Sequence, residues 1–264
     1  MENQKLLLIF VVLNTINMGN KRKYKFNENY FETINTPEKA YWLGFIAADG
    51  YITKRTQGQH VFGITLHEKE PLEKLLLCLE SDKRILEYDC SKMFNKYSNK
   101  VEYKLLFVSN KMVSNLEKNG IVERKTFRLE FPHDIITKEL YPHYIRGYFD
   151  GDGSVFYSTA RGIKDEVLCV SICGTYSFLD SLRKELDFLI ESDKCLYKDE
   201  RTGTDTWNLK LYNQLRALKF YRYIYQDISD NIYLVRKKKK FDDYIEMKVQ
   251  RLQSTILEYN RIKV

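Results

Sequence analysis

Apolar residues follow two rhythms along this chain, one helical and one strand-like, and their succession occurs twice. Thr36-Pro37-Glu38 opens a run of apolar and small residues that reaches Ala48. Thr is a good N-cap and Pro is favoured at the first helical position, so the run reads as a helix with Gly50 as its stop. Strand patterns follow near 51–57 and 61–66, where Phe62, Ile64 and Leu66 point one way and Gly63, Thr65 and His67 the other. Residues 71–79 have helical periodicity. Strands near 84–92 and 101–108 follow, then a helix from Asn110 to Asn119 stopped by Gly120. A second series opens at Tyr141-Pro142 with a helix to Gly153. It continues with strands near 154–160 and 166–173, a helix near 176–190, and strands near 194–199 and 206–212. Helices near 213–226 and 238–260 end it. The order αββαββα, twice over, predicts an α+β pseudo-dimer. Its halves, 36–138 and 139–264, join between Phe131-Pro132 and Tyr141-Pro142 without a long Gly/Ser or Pro-rich linker.

The two opening helices share more than a period. Tyr41-Trp-Leu-Gly-Phe-Ile-Ala-Ala-Asp-Gly50 and Tyr144-Ile-Arg-Gly-Tyr-Phe-Asp-Gly-Asp-Gly153 lie 103 residues apart. Tyr41, Gly44, Asp49 and Gly50 recur as Tyr144, Gly147, Asp152 and Gly153, and Ala48 is matched by Gly151. An internal repeat sets the architecture. Glycine inside a helix costs about 1 kcal/mol relative to alanine. A repeated one therefore indicates that another backbone comes close, and the simplest partner is the other copy. Asp49 and Asp152 would then meet at the C-terminal ends of two adjacent helices, the negative ends of their dipoles. A divalent cation such as Mg²⁺, which prefers carboxylate and carbonyl oxygens, would relieve that conflict. A single Asp-Gly is more often a turn; two copies with matched upstream glycines favour the site. Asp150-Gly-Asp152-Gly-Ser154 also looks like the start of an EF-hand loop, but Val155 and Arg161 stand where Gly and Glu are needed.

The pair of segments resembles the paired LAGLIDADG motifs of homing endonucleases, in the single-chain form with two motifs. The resemblance spans roughly residues 36 to 250. It implies that the motif helices form the interface between two αββαββα halves with antiparallel, saddle-shaped sheets. It also implies that Asp49 and Asp152 bind the catalytic metals, aided by the backbone carbonyls of Ala48 and Gly151. The first motif departs from the family pattern at Ala47, where the second has Asp150; that position is not the usual metal ligand. In such enzymes a basic residue of each half lies near the scissile phosphate. Glu123-Arg124-Lys125 resembles Val235-Arg236-Lys237, which puts that role on Lys125 and Lys237. Lys238, Lys239 and Lys240 are alternatives in the same run, and a solvated helix start or a phosphate grip accounts for the run as well.

Strand alternation supplies candidate DNA contacts. Thr53, Arg55, Gln57 and Gln59 form a polar stripe after the first motif, with Thr65 on the neighbouring strand. Ser158, Ser171, Asn208 and Lys210 take such places in the second half, while Leu168, Val170, Ile172, Leu209 and Leu211 face inward. Arg pairs with guanine and Gln with adenine in the major groove. Antiparallel sheets also often leave one face simply solvated.

Composition adds bounds. The net charge of +7 favours a polyanionic partner, and 44% hydrophobic residues support a real core. The five cysteines, Cys78, Cys90, Cys169, Cys173 and Cys195, contain no Cys-x-x-Cys pair, which fits a reduced, intracellular protein. The apolar run from Leu6 to Leu13 is too short to span a bilayer and lacks a small-residue cleavage site after it. Met18 is an alternative start, and residues 1–35 read as an extension and basic arm. The expectation is a monomeric, site-specific, Mg²⁺-dependent endonuclease acting on double-stranded DNA, encoded within an intron or another mobile element. The resemblance implies short 3′ overhangs and a long, imperfectly symmetric target. The rival readings on the same fold are an RNA maturase, which would bind intron RNA, and a nuclease-inactive DNA-binding regulator.

Overall fold

The computed structural model describes residues 24–55, 58–89, 101–159, 166–190, 193–226, 228 and 232–262. Gln57 and the apolar run Leu6–Leu13 lie outside them. The first half runs α1 (Pro37–Asp49), β1 (Gly50–Lys54), β2 (His60–Leu66), α2 (Glu70–Cys78), β3 (Leu86–Asp89), β4 (Val101–Val108) and α3 (Asn110–Lys118). The second repeats that order as α4 (Tyr141–Asp152), β5 (Gly153–Thr159), β6 (Glu166–Gly174), α5 (Tyr176–Glu185), β7 (Leu196–Lys198), β8 (Trp207–Leu211) and α6 (Gln214–Tyr225). A long helix, α7 (Val235–Ile262), follows. Each half holds one antiparallel four-stranded sheet, in the orders β1-β2-β4-β3 and β5-β6-β8-β7. No helix among the described residues is long and apolar enough to cross a membrane.

Local chemistry explains the elements. Thr36 caps α1 by accepting the Lys39 N–H, and Ser109, Thr175 and Asn213 do the same for α3, α5 and α6. Each sheet buries one alternating face. Ile52, Phe62, Ile64, Leu105 and Phe107 line the first core; Leu168, Val170, Ile172, Leu209 and Leu211 line the second.

α1 and α4 pack against each other where the repeated glycines fall. A methyl group on Gly44 would overlap the backbone carbonyl of Tyr144, and one on Gly147 the carbonyl of Tyr41. The contact is reciprocal and backbone to backbone, which is why neither position tolerates a side chain.

Several expectations are corrected. Gly50 and Gly153 are not left-handed helix stops: both have extended backbone, with ψ of 162° and 163°. They lack side chains because the chain turns straight from helix into strand, over Ile46 and Phe149. β1 ends at Lys54, so Arg55 lies in the turn, where its N–H bonds the Gln59 carbonyl. α5 stops at Glu185, yet Leu186, Leu189 and Ile190 stay buried in the turns after it. α7 starts at Val235, three residues earlier than the apolar pattern indicates, because its first turn is basic. The segment 24–35, read as part of an arm, is packed: Tyr30, Phe31 and Ile34 are buried, and Asn27 N–H bonds the Leu79 carbonyl. Its aromatics are spaced among polar residues with no single period, which hid it.

Candidate active site

The close packing of α1 and α4 brings their C-terminal ends side by side, and with them Asp49 and Asp152. A Cβ on Gly151 would lie 3.0 Å from Asp49 Oδ2 and would overlap Ala48 Cβ, so the small residue before Asp152 makes room for Asp49. Burial pushes the Asp49 carboxyl up to about 6, and the negative charge of Asp152 adds to the effect. Burial also raises Asp152, against the pull of Lys125, Lys237 and the Tyr148 hydroxyl.

Two lysines meet these helix ends from outside. Lys125 Nζ donates to the Ala48 carbonyl at 2.8 Å. Lys237 Nζ donates to the carbonyls of Phe149, Asp150 and Gly153, each at 2.6 Å, with Gly151 at 3.4 Å. The last carbonyls of a helix lack partners within it, and cations are favoured there. Burial pulls both ammonium groups down, Lys237 to about 8. Lys125 arrives on a single 3₁₀ turn, Lys125–Phe127, behind Arg124, which sits at φ 55°. Lys237 arrives in the first turn of α7. The carbonyls expected to ligate metal, Ala48 and Gly151, therefore face the lysines here.

The halves exchange partners. Lys125 leads the cations acting on Asp152, and Lys237 leads those acting on Asp49. Two cavities also combine residues of both halves, and Lys125 lines the first of them. One of about 250 Å³ is lined by Lys125 of the first half with Tyr148, Asp152, Cys173 and Thr206 of the second. Another of about 320 Å³ is lined by Asp49, Thr65 and His67 of the first half with Gly151, Leu234 and Arg236 of the second. Tyr148 is one residue the sequence reading missed: its hydroxyl donates to the Cys173 carbonyl at 3.0 Å. Phe45 matches it in the first motif, so the hydroxyl has no counterpart there.

The donor set suits a hard cation. Asp49 and Asp152 supply carboxylates, and the adjoining carbonyls are also oxygen donors. Their mutual repulsion at two negative helix ends is relieved by positive charge. Among the described residues no third acidic, histidine or cysteine side chain joins the pair, so any further ligands would be carbonyl, water or phosphate oxygens.

Strand register places the other candidates. Thr53 and Thr65 lie on the outer face of the first sheet, and Ser158, Ser171, Asn208 and Lys210 on the outer face of the second. Ser171 Oγ donates to Asn208 Oδ1 at 3.3 Å, and the Lys210 ammonium sits 5.0 Å from the Tyr197 ring centroid. Arg55 and Gln59 are exposed in the β1–β2 turn. Lys239 and Lys240 do not join this surface. α7 lies against β5 on the face that carries Val155, the helix-covered side; Lys240 Nζ bonds the Val155 carbonyl, and Lys239 pairs with Asp243. Register also reveals outward residues the sequence reading passed over: Tyr51, whose ring lies across Gly63, and Lys104, Phe156 and Tyr197.

No protein-family profile matches the chain, and no curated protein matches it by sequence. Solved structures do match by shape. The LAGLIDADG meganuclease I-AabMI, solved bound to uncleaved DNA, is similar at TM-score 0.53 and 13% identity, over 84% of this chain and 93% of that one. The LAGLIDADG homing endonuclease I-LtrWI, bound to its target DNA, is similar at TM-score 0.55 and 12% identity, over 86% and 92%. I-GzeII, in complex with its DNA target, gives 0.52 and 14%, over 84% and 92%. With its two motif helices and paired four-stranded sheets, the chain has the fold of the LAGLIDADG homing endonucleases.

Proposed function

We propose that this protein is a site-specific DNA endonuclease. Its two halves, 36–138 and 139–264, would share one catalytic centre at the ends of α1 and α4. The observation that carries this reading is the meeting of Asp49 and Asp152 under Lys125 and Lys237, beside two sheets with polar and aromatic outer faces. The solved structures with this fold are described as DNA-bound nucleases, which supports the same substrate.

Ionised, Asp49 and Asp152 would hold Mg²⁺ or a similar divalent ion. When bound, such an ion activates water and stabilises the leaving oxygen in phosphodiester hydrolysis. The protein's own groups have separable tasks. Lys125 favours the ionised form of Asp152, and Lys237 does so for Asp49. Burial draws Lys237 down to about 8, while the carbonyls to which it donates favour its ammonium form. Thr53, Thr65, Ser171, Asn208 and Lys210 offer donors and acceptors to base edges, and Lys104 and Lys210 supply positive charge to the backbone. The outer faces, not the lysine run of α7, are the DNA surface in this reading.

The test starts from a randomised duplex library. Duplexes retained by the protein in Ca²⁺ are sequenced, and the recovered site is incubated with the protein in Mg²⁺ or in EDTA. Cleavage of both strands in Mg²⁺ alone is the expected result. Recovery of no preferred duplex, or binding without cleavage, would remove the nuclease reading.

A further inference from the structure

The second motif carries ionisable residues where the first is apolar at two positions one helical turn apart. Arg146 and Asp150 stand where the first motif has Leu43 and Ala47. All four are buried. A buried charge is costly unless it is hydrogen-bonded and paired, so polar residues at these places need a reason.

Their bonds converge on one stretch of chain. Asp150 Oδ2 accepts the Leu234 N–H at 2.8 Å and the Tyr41 hydroxyl of the opposite motif helix at 2.9 Å. Arg146 donates from Nε to the Ile232 carbonyl at 3.2 Å and from Nη1 to the Ile224 carbonyl at 2.9 Å. Ile224 lies in the last turn of α6, and Ile232 and Leu234 lead into α7. Two side chains of α4 therefore fasten the connector that delivers Lys237. The Lys237 N–H bonds the Leu234 carbonyl at 3.1 Å, and its Nζ returns to the end of α4. In the first half, Leu43 and Ala47 have no polar side-chain atom with which to fasten the approach to Lys125.

We propose that Asp150 is a positioning residue: through Leu234 it fixes where Lys237 stands at the end of α4, a device that the approach to Lys125 lacks. The proposal rests on the nuclease reading above and adds to it that the two strands depend differently on Asp150. Leu234 lines the same cavity as Asp49, so slackening the connector acts on that half of the site first.

The experiment uses the selected duplex, labelled on each strand in turn. Lys237→Met and Lys125→Met first show which strand each lysine serves. Asp150→Leu matches the carboxylate in shape but cannot accept from Leu234. It should slow the Lys237 strand by about tenfold to a hundredfold, the cost of an ångström-scale misplacement. The other strand should change much less, and DNA affinity not at all. Asp150→Asn keeps an acceptor and should restore the rate. Asp150→Ala serves if the leucine variant does not fold. Equal slowing of both strands, an unchanged strand ratio, or lysine variants that each act on both strands alike would overturn the proposal. Amide exchange in the DNA-free protein separates the two readings. Faster exchange at Leu234 and Lys237 in Asp150→Leu, but not in Asp150→Asn, supports positioning even if the wild type cuts nothing; unchanged exchange refutes it.

Discussion

Asp49 and Asp152 are costly to ionise where they stand, and that cost can be measured. In the metal-free protein Asp49 is raised to about 6 from an ordinary 3.8, chiefly by burial and then by Asp152. An acid whose folded pKa is raised favours folding while protonated. Its contribution is complete below about pH 4 and is lost as pH rises through about 6. Two units correspond to about 3 kcal/mol at most, since each unit is about 1.4 kcal/mol. Thermal melts in EDTA should therefore show Asp49→Asn gaining on the wild type between pH 4 and pH 7.5; parallel curves would show that the carboxyl is well solvated. Mg²⁺ should close most of that gap at pH 7.5, because a bound ion stabilises by about 2.7 kcal/mol at a hundred times its Kd. Activity should follow the same residues. Asp49→Asn or Asp152→Asn should abolish double-strand cleavage and leave duplex affinity within a few-fold, as read by gel shift and strand-resolved cleavage. A variant of either that still cuts both strands at the normal rate would unseat the assignment.

The two motif helices show what sequence can and cannot reveal about an element. Gly44 and Gly147 announced a close helix pair because an interior glycine is otherwise unfavourable, and each meets the other helix's backbone. Gly44→Ala should lower Tm by several degrees, since overpacking costs about 1–3 kcal/mol and a carbonyl cannot swing aside as a side chain can. Calorimetry on Gly44→Ala and Gly147→Ala would show this; an unaltered Tm in both would mean that the helices are not held at that spacing. Asp49 and Asp152 were legible for the same reason, through a repeat with a fixed offset. Lys125 and Lys237 were found by likeness of short segments, but their bonds to carbonyls at the helix ends depend on where two unrelated elements, a 3₁₀ turn and a long helix, happen to begin. The connector role of Asp150 could not be read, because Leu234 and Tyr41 lie 84 and 109 residues away and carry no signal of their own. A basic run such as Lys239 and Lys240 carries no information about which face it lies on; the structure puts these two near Asp243 and the Val155 carbonyl.

Across the whole molecule the repeat is faithful in its core and not in its outer faces. Gly50 pairs with Ile64 as Gly153 pairs with Ile172, and Ile64 pairs with Leu105 as Ile172 pairs with Leu209. That register matches the outward positions one to one. Tyr51 answers to Ser154, Thr53 to Phe156, Gly63 to Ser171, Thr65 to Cys173, Lys104 to Asn208 and Leu106 to Lys210. No pair is alike in hydrogen-bonding capacity and charge. A palindrome presents the same base edges to both halves, so two faces this different cannot both suit one. The site recovered from a randomised library should therefore lack palindromic half-sites. Lys210→Ala should act on one half only. If Lys210 reads a base it should cost about 1–3 kcal/mol there and relax the preference at that position. If it grips a phosphate it should weaken all duplexes and reduce the salt slope by about 0.9. Lys239→Ala should do neither, since α7 lies on the helix side of its sheet and the exposed Lys239 ammonium pairs with Asp243 there. Binding of the three proteins to selected and scrambled duplexes across a salt series distinguishes these outcomes. A palindromic site, or a Lys239→Ala variant that loses as much affinity as Lys210→Ala, would move the DNA off the sheet faces.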